Sequence, residues 1–305
     1  MYISDKSRQV GSTTPETIAE ALTYLHRDGV LVLDNAIEVE HLDRLRELLQ
    51  SEAEEIAKDP THHFNSGRHT RNNKAPPTMV DLMFEDVWAN RIAVSILQSL
   101  LGPNLMCHYA NGNTALKAEG RQPVHSDIDK PHPLYPFAYA INIPLSDMNV
   151  VNGSTELWPG SHHESNIVQH VTLTNDEYGL AIKPALVEQR RHISPPTQPT
   201  VRKRSLIIRD IRMPKRTDTP RIMLAFVIQS KWFQAPLKVT LPLKSKALVD
   251  SWKANSGLEY AAHWIDGDVD HRKVNSDDVD FSTGNSKLLE LEPLMYPAPR
   301  STSSL

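Results

Sequence analysis

The amino-acid sequence predicts a mainly β protein with flanking helices, of the sandwich or barrel class. From about residue 105 onward, short apolar segments alternate with clusters of Gly, Pro and Asn, which is typical of such folds. The 22 Pro residues among 305 favour a loop-rich β protein over a helical bundle. Apolar residues at helical spacing are concentrated in the first third of the chain.

The first hundred residues predict helices around one strand. A helix that Thr14 caps ends at Gly29, and a short apolar strand over 30–33 follows. A second helix, over about 42–56, carries one apolar stripe opposite charged residues. A third helix ends at Gly102, next to a proline that cannot continue it.

The rest of the chain predicts a β core with irregular insertions. Long loops in compact domains often bind ligands, so the segments 59–79 and 163–204 are expected to shape a pocket. The predicted strands are 105–116, 137–144, 154–158, 205–211 and 221–233. We expect one domain over 1–305, with a helical part at about 12–102, a barrel core at about 105–233 and an extension over 234–305.

Composition excludes several classes of function. The net charge of -4 provides no basic surface for nucleic acid. No stretch approaches the roughly 20 apolar residues of a membrane span, and the first residues lack a secretory pattern. Cys107 is the single cysteine, so no internal disulfide can form and a reducing compartment is expected. The sequence therefore predicts a cytoplasmic protein.

His125-Ser126-Asp127 is the sharpest chemical feature of the chain. In an extended segment, residues two apart point to the same face, so both side chains can reach one metal ion. They would supply two of the three ligands in the set of two His and one carboxylate that binds Fe(II). Such tripeptides also occur by chance, and a solvated turn is the competing interpretation.

The surroundings of this tripeptide favour the metal site. Three motifs follow one another: Gln122-x-x-His125-x-Asp127, the strand over 137–144, and the run 152–162 with sequence Asn-Gly-Ser-Thr-Glu-Leu-Trp-Pro-Gly-Ser-His. Their order resembles the phytanoyl-CoA dioxygenase-like (PhyH) family, and most closely fungal members that tailor terpenoids, polyketides and alkaloids. The resemblance implies a double-stranded β-helix (jelly roll), Fe(II), 2-oxoglutarate as cosubstrate and a small organic substrate.

The resemblance also implies roles for single residues. His125 and Asp127 match the first two iron ligands, and Gln122 and Thr155 match positions that hydrogen-bond 2-oxoglutarate. Arg221 matches the arginine that pairs with the distal carboxylate of 2-oxoglutarate, and a guanidinium suits that role because it binds carboxylates bidentately. The competing interpretations are a residue of high β propensity for Thr155 and a surface charge for Arg221.

The third iron ligand is missing from its expected place. Relatives continue after the strand that ends here at Met213 with a segment containing a histidine. In this chain Met213 is followed directly by Pro-Lys-Arg-Thr-Asp-Thr-Pro and then Arg221. Lys215 and Arg216 bring positive charge close to the expected cation, unless both point to solvent.

Three explanations of the missing ligand remain open: a degenerate paralogue, a replacement ligand such as His192 or His263, or a gene model that has lost a short segment. The first function considered is an Fe(II)/2-oxoglutarate-dependent oxygenase, alone or within a complex. The second is a non-catalytic partner subunit of an active paralogue, or an isomerase that needs no 2-oxoglutarate. We expect a homodimer, or a heterodimer with a paralogue, in which the extension after 233 forms the contact.

Overall fold

A computed structural model describes most of the chain. The described residues are 1–56, 72–73, 75–115, 123–151, 154–163, 165–173, 178–216, 221–233, 235–236 and 238–273. At residues 56, 72–73, 113–115, 178, 221 and 273 the description covers the backbone alone. The predicted loop over 59–79 therefore lies largely outside the described residues.

The described part of the chain contains α-helices and β-strands in the order that the sequence predicts, helices first and then mainly strands. The helices are α1 (Asp5–Val10), α2 (Pro15–Asp28), α3 (Val39–Ile56), α4 (Glu85–Trp88), α5 (Arg91–Leu101), α6 (Pro184–Ile193) and α7 (Lys246–Ser256). The strands are β1 (Val30–Leu33), β2 (Asn72–Asn73), β3 (Leu105–Ala115), β4 (Ala138–Pro144), β5 (Glu156–Leu157), β6 (His170–Thr172), β7 (Tyr178–Ile182), β8 (Leu206–Asp210), β9 (Lys215–Arg216), β10 (Arg221–Ser230), β11 (Val239–Pro242), β12 (Leu258–Tyr260) and β13 (Ala262–Ile265).

Helix α2 begins and ends as the sequence predicts. The Thr14 hydroxyl accepts a hydrogen bond from the Thr17 backbone N–H, which satisfies one of the free donors of the first turn. Gly29 has φ +74°, and a Cβ built there would lie 2.5 Å from Nδ1 of His162. Both the left-handed backbone and the close approach of His162 require glycine at this position.

The main sheet has the order β1-β8-β4-β10-β3-β12, and β2 pairs with β3. Strand β10 lies in the middle, antiparallel to both β3 and β4. Strand β1 pairs with β8 at one edge, and strand β12, from the extension after residue 233, pairs in parallel with β3 at the other. Segments from both ends of the chain therefore complete the barrel sheet.

The two faces of this sheet pack against different surroundings. On one face, alternate residues of β10 such as Leu224, Phe226 and Ile228 join the large core formed with the helices. On the other face, Val227 packs with Phe137 and Phe233 in a smaller core inside the barrel. Burial on both faces explains why these strands are continuous apolar runs.

Three details differ from the sequence prediction. Strand β5 is shorter than the predicted 154–158, because the Ser154 backbone N–H donates to the Asn149 carbonyl instead of a strand partner. The insertion over 163–204 contains the short predicted helix as α6, but also the hairpin β6–β7. The extension after residue 233 contributes β12 to the main sheet and helix α7 to the core.

In the described ranges, none of the helices is both long and apolar enough to cross a bilayer.

Candidate functional site

The segment around His125 lies between two strands at the mouth of the barrel. The His125 backbone forms antiparallel bridges with Lys215 on one side and Ala181 on the other. The Lys215 N–H donates to the His125 carbonyl at 2.8 Å, and the His125 N–H donates to the Lys215 carbonyl at 3.0 Å. The Asp127 N–H donates to the Ile211 carbonyl at 3.0 Å. These bonds hold the segment extended, so the side chains of His125 and Asp127 share a face.

Two cations bind the carboxylate of Asp127. The Lys215 Nζ lies 2.7 Å from Oδ1 and 3.0 Å from Oδ2. The Arg209 guanidinium donates to Oδ2. The side chain of Arg209 is 1% exposed, whereas the side chains of Asp127 and Lys215 are each 20% exposed. Asp127 therefore lies in a largely buried ion-pair cluster.

The pKa of Asp127 reflects this cluster. Burial raises the pKa of the carboxyl, because a charged group is costly in a low dielectric. The nearby positive charges of Arg209 and Lys215 and the contribution of His125 lower the pKa by more. The net result is a pKa well below the usual range, so Asp127 is a stable carboxylate.

Arg209 also fixes the turn that follows β8. Its Nη1 donates to the Asp210 carbonyl at 3.1 Å and to the Met213 carbonyl at 3.4 Å. This buried guanidinium therefore links Asp127 to the end of the strand after which the third ligand was expected. Arg209 was not among the predicted site residues, although two adjacent charges in the apolar run Leu206–Asp210 are a sequence signal of an internal ion pair.

His125 is oriented by its own segment. Its Nδ1–H donates to the Pro123 carbonyl at 3.0 Å, so a metal ion could bind the ring only through Nε2, and only when the ring is neutral. An imidazole held through Nδ1–H with Nε2 as acceptor is the form that binds metal ions. His125 alone would therefore suit a metal site.

The other predicted site residues are described unequally. Thr155 is 6% exposed and directly precedes β5, which pairs with β9 through Leu157 and Lys215. Thr155 is thus one strand away from the His125 segment. The backbone of Arg221 begins β10, but its side chain lies outside the described residues, as does all of Gln122.

Neither Lys215 nor Arg216 points freely to solvent. Lys215 binds Asp127, and Arg216 lies on the opposite face of β9, where its Nη2 is 3.5 Å from Oε2 of Glu156. The alternation of the two residues along a strand explains why adjacent cations bind different carboxylates.

A second buried ion pair lies beside Arg209, at the same end of β8. Arg212 donates from Nε and Nη2 to the Asp210 carboxylate at 2.9 and 2.6 Å, and both side chains are at most 1% exposed. Arg212 also donates to the Leu134 carbonyl at 2.5 Å. Through the Leu134 carbonyl, Arg212 connects the turn after β8 to the segment that precedes β4.

Two cavities lie near the barrel and the helices. A cavity of about 150 Å³ separates α6 from the barrel, and its apolar lining includes Val124, Trp158, Ile182 and Pro214. Because Val124 and His125 are adjacent in an extended segment, their side chains point to opposite faces, and this cavity lies on the face opposite to His125 and Asp127. A larger cavity, of about 410 Å³, lies beside α3, α4 and the start of α5 and includes His41, and none of the predicted site residues lines it.

The described residues around Asp127 do not fit an iron ion. A stable Fe(II) site needs three protein ligands here, and within the described ranges no group of three His, Cys, Asp or Glu side chains is placed to hold a metal. His192 and His263 are both exposed and neither completes such a group. The carboxylate that would bind iron is already bonded by two cations.

Comparisons with known proteins connect this site to one family. The model of the family described as phytanoyl-CoA dioxygenase (PhyH) matches residues 25–202. The match includes His125, Asp127 and Thr155, and it ends before Arg209 and Lys215.

Solved structures with the same fold include two proteins of known ligands. EctD from S. alaskensis with bound Fe is 16% identical, with a TM-score of 0.53, over 77% of this chain and 82% of that chain. The epimerase SnoN in complex with Fe3+, alpha ketoglutarate and nogalamycin RO is also 16% identical, with a TM-score of 0.50, over 71% of this chain and 85% of that chain. At this identity the likeness shows the fold, and the predicted double-stranded β-helix is confirmed.

Proposed function

Because the chain belongs to the phytanoyl-CoA dioxygenase (PhyH) family, we propose that it serves Fe(II)/2-oxoglutarate-dependent tailoring of a small organic molecule. We further propose that it does so as a subunit that does not itself hold the iron. Its partner would be an active paralogue, and the substrate a fungal secondary metabolite such as a terpenoid, polyketide or alkaloid. The family match and the fold support the class of function.

One observation carries the second part of this proposal: Lys215 and Arg209 both bind the carboxylate of Asp127. A metal ion would have to displace the ammonium and share the carboxylate with a guanidinium that is 1% exposed. The ammonium of Lys215 is partly exposed and can turn to water at a cost of about 1 kcal/mol, so the larger cost is the repulsion between the bound ion and the buried guanidinium of Arg209. A site with two protein ligands cannot offset that cost as a complete site of three ligands would.

The second candidate is a stand-alone oxygenase, and the acceptor nitrogen of His125 on the same face as Asp127 favours it. In that case His125 and Asp127 bind Fe(II), which supplies the oxygen chemistry when bound, and a third ligand comes from outside the described residues. Gln122, Thr155 and Arg221 then hold 2-oxoglutarate. An epimerase, SnoN, also shares the fold, but its structure contains alpha ketoglutarate, so it does not support an isomerase that needs no 2-oxoglutarate.

Anaerobic titration with Fe(II) and 2-oxoglutarate distinguishes the two candidates. The measurement is the visible charge-transfer band that forms when 2-oxoglutarate chelates protein-bound Fe(II). SnoN is a positive control, and the His125→Ala variant is a negative control. We expect no band from this chain at stoichiometric iron. A band that disappears in His125→Ala would show a working iron site and refute the subunit proposal.

The subunit proposal also predicts a complex. The chain is expected to elute alone as a homodimer or monomer in size-exclusion chromatography with light scattering. Co-expression with the nearest encoded PhyH paralogue is expected to give a heterodimer whose oxygenase activity exceeds that of the paralogue alone. Equal activity with and without this chain would argue against the role.

A further inference from the structure

Lys215 stands at the place where the third metal ligand of this family was expected. Lys215 lies two residues after Met213, the residue after which relatives carry the third ligand. It is also the direct cross-strand neighbour of His125. Cross-strand neighbours present their side chains on the same face, within about 5.5 Å of each other. Lys215 thus contacts Asp127 and is paired with His125, so the three side chains are neighbours at the barrel mouth.

We infer that Lys215 replaces the third metal ligand and that its ammonium, with the guanidinium of Arg209, replaces the charge of the metal ion. This inference deepens the proposed function and rests on it. Two single positive charges supply the charge of one divalent cation, and both are bonded to the carboxylate that would otherwise bind that cation.

The surrounding structure depends on this arrangement. The backbone of Lys215 joins β5 through Leu157 on one side and the His125 segment on the other. Arg209 ties the same carboxylate to the turn after β8. Protein groups alone thus connect these strands at the barrel mouth, which in a metal-dependent relative would be joined through the ion. Among the described residues, these connections at the barrel mouth need no metal ion.

A substitution that returns a ligand tests the position. Lys215→His would give two imidazoles and one carboxylate on one face. Arg216→His is the matched control, since it adds a histidine on the same two-residue strand but on the face that binds Glu156. The probe is Co(II) alone, whose visible absorption reports the number and kind of protein ligands. Loss of a supporting residue costs about 10–100-fold in metal affinity, so gain of a ligand is expected to raise Co(II) affinity about 100-fold or more.

The expected result is weak Co(II) binding by the wild-type chain and by Arg216→His, and much tighter binding by Lys215→His. Binding by Lys215→His that is no tighter than by Arg216→His, with native circular dichroism, would overturn the inference and leave the subunit proposal standing. Tight Co(II) binding by the wild-type chain itself would overturn both.

A measurement on the wild-type chain covers the case in which Lys215→His does not fold. Saturating Co(II) stabilises any folded protein that binds it. We therefore expect the Tm of the wild-type chain to be the same within about 1 °C in chelator and in excess Co(II). Binding at a free Co(II) concentration ten times the dissociation constant would instead raise the free energy of unfolding by about 1.4 kcal/mol. A clear rise of the Tm with Co(II) would overturn the inference. Lys215→Cys, with a shorter thiolate ligand, repeats the gain-of-binding test.

Discussion

Asp127→Asn tests whether the carboxylate stabilises the fold or is kept to bind a metal ion. The substitution keeps the shape of the side chain and removes its charge, so Arg209 and Lys215 both lose their counterion. Lys215 can turn toward water, because its side chain is 20% exposed. Arg209 cannot, because its side chain is 1% exposed and its other hydrogen bonds go to the carbonyl groups of Asp210 and Met213. The variant therefore leaves a buried cation without its carboxylate.

The magnitude follows from the burial of this pair. Removing one partner of a buried ion pair costs about 3–5 kcal/mol, and partial exposure of Asp127 places the expected loss near the lower end, about 3 kcal/mol. At about 2–4 °C per kcal/mol for chains of 150–250 residues, and somewhat less for a longer one, the Tm is expected to fall by about 5–10 °C. Lys215→Met should cost less, about 1 kcal/mol, because Arg209 still neutralises Asp127 and the lysine was partly exposed.

The assay is urea unfolding followed by circular dichroism, in the presence of chelator. Wild type, Asp127→Asn, Arg209→Met and the double variant form a mutant cycle, and the coupling between Asp127 and Arg209 is expected to be favourable to stability. A neutral or stabilising effect of Asp127→Asn would refute the reasoning. That result would mean that the carboxylate is retained at a cost to the fold, as residues that bind a ligand often are.

Three further predictions concern other parts of the molecule. The pKa of His41 is raised, mainly by its hydrogen bond to Asp86. This pair should therefore add stability below the unfolded pKa of about 6.5, and that stability should be lost as the pH rises through the higher folded pKa. The urea midpoints of wild type and His41→Gln from pH 5.5 to 8.5 measure this effect, and a pH-independent difference between them would contradict it. Burial raises the pKa of Cys107 to about 12, so a thiol reagent at pH 8 should leave it unmodified in the native chain and react fully in urea, and fast native labelling would contradict this. Gly29→Ala places a Cβ 2.5 Å from Nδ1 of His162 at a positive φ and should lower the free energy of unfolding by about 1–3 kcal/mol. Gly267→Ala is the control and should lower it less, because no atom lies within 4 Å of the new Cβ there. Equal Tm values for the two variants would contradict this prediction.

Local signals explain why the helices and the main strands could be predicted from the sequence. Thr14 and Gly29 mark the two ends of α2, and the apolar runs at 137–144 and 205–211 have the composition of strands that are buried on both faces. The hairpin β6–β7 was missed because its strands are short and partly exposed, so they carry little hydrophobic pattern. Strand β12 was missed because three residues are too few for a periodic signal, and its pairing with β3 depends on contacts distant in sequence.

The position of the candidate site could be predicted from the sequence, but the two cations that bind Asp127 could not. The His125-x-Asp127 spacing indicates two side chains on one face, and the structure places them so. The partner of Asp127 could not be inferred, because Arg209 lies on another strand and belongs to an apolar run in which its charge is the exception. Whether Lys215 pointed inward depended on the alternation along β9, and a two-residue strand has no pattern that reveals its register.

The edges of the main sheet have a consequence for the synthesis of this protein. Strand β1 leaves the ribosome early, but its partner β8 is made only after residue 206, and β12, which covers the opposite edge, comes after residue 258. Until then both β1 and the outer side of β3 present unpaired backbone groups, which are templates for association with other chains. The edges of the main sheet therefore cannot be completed before residue 260 has been made, and the yield of the protein should depend on chaperones that bind extended apolar segments.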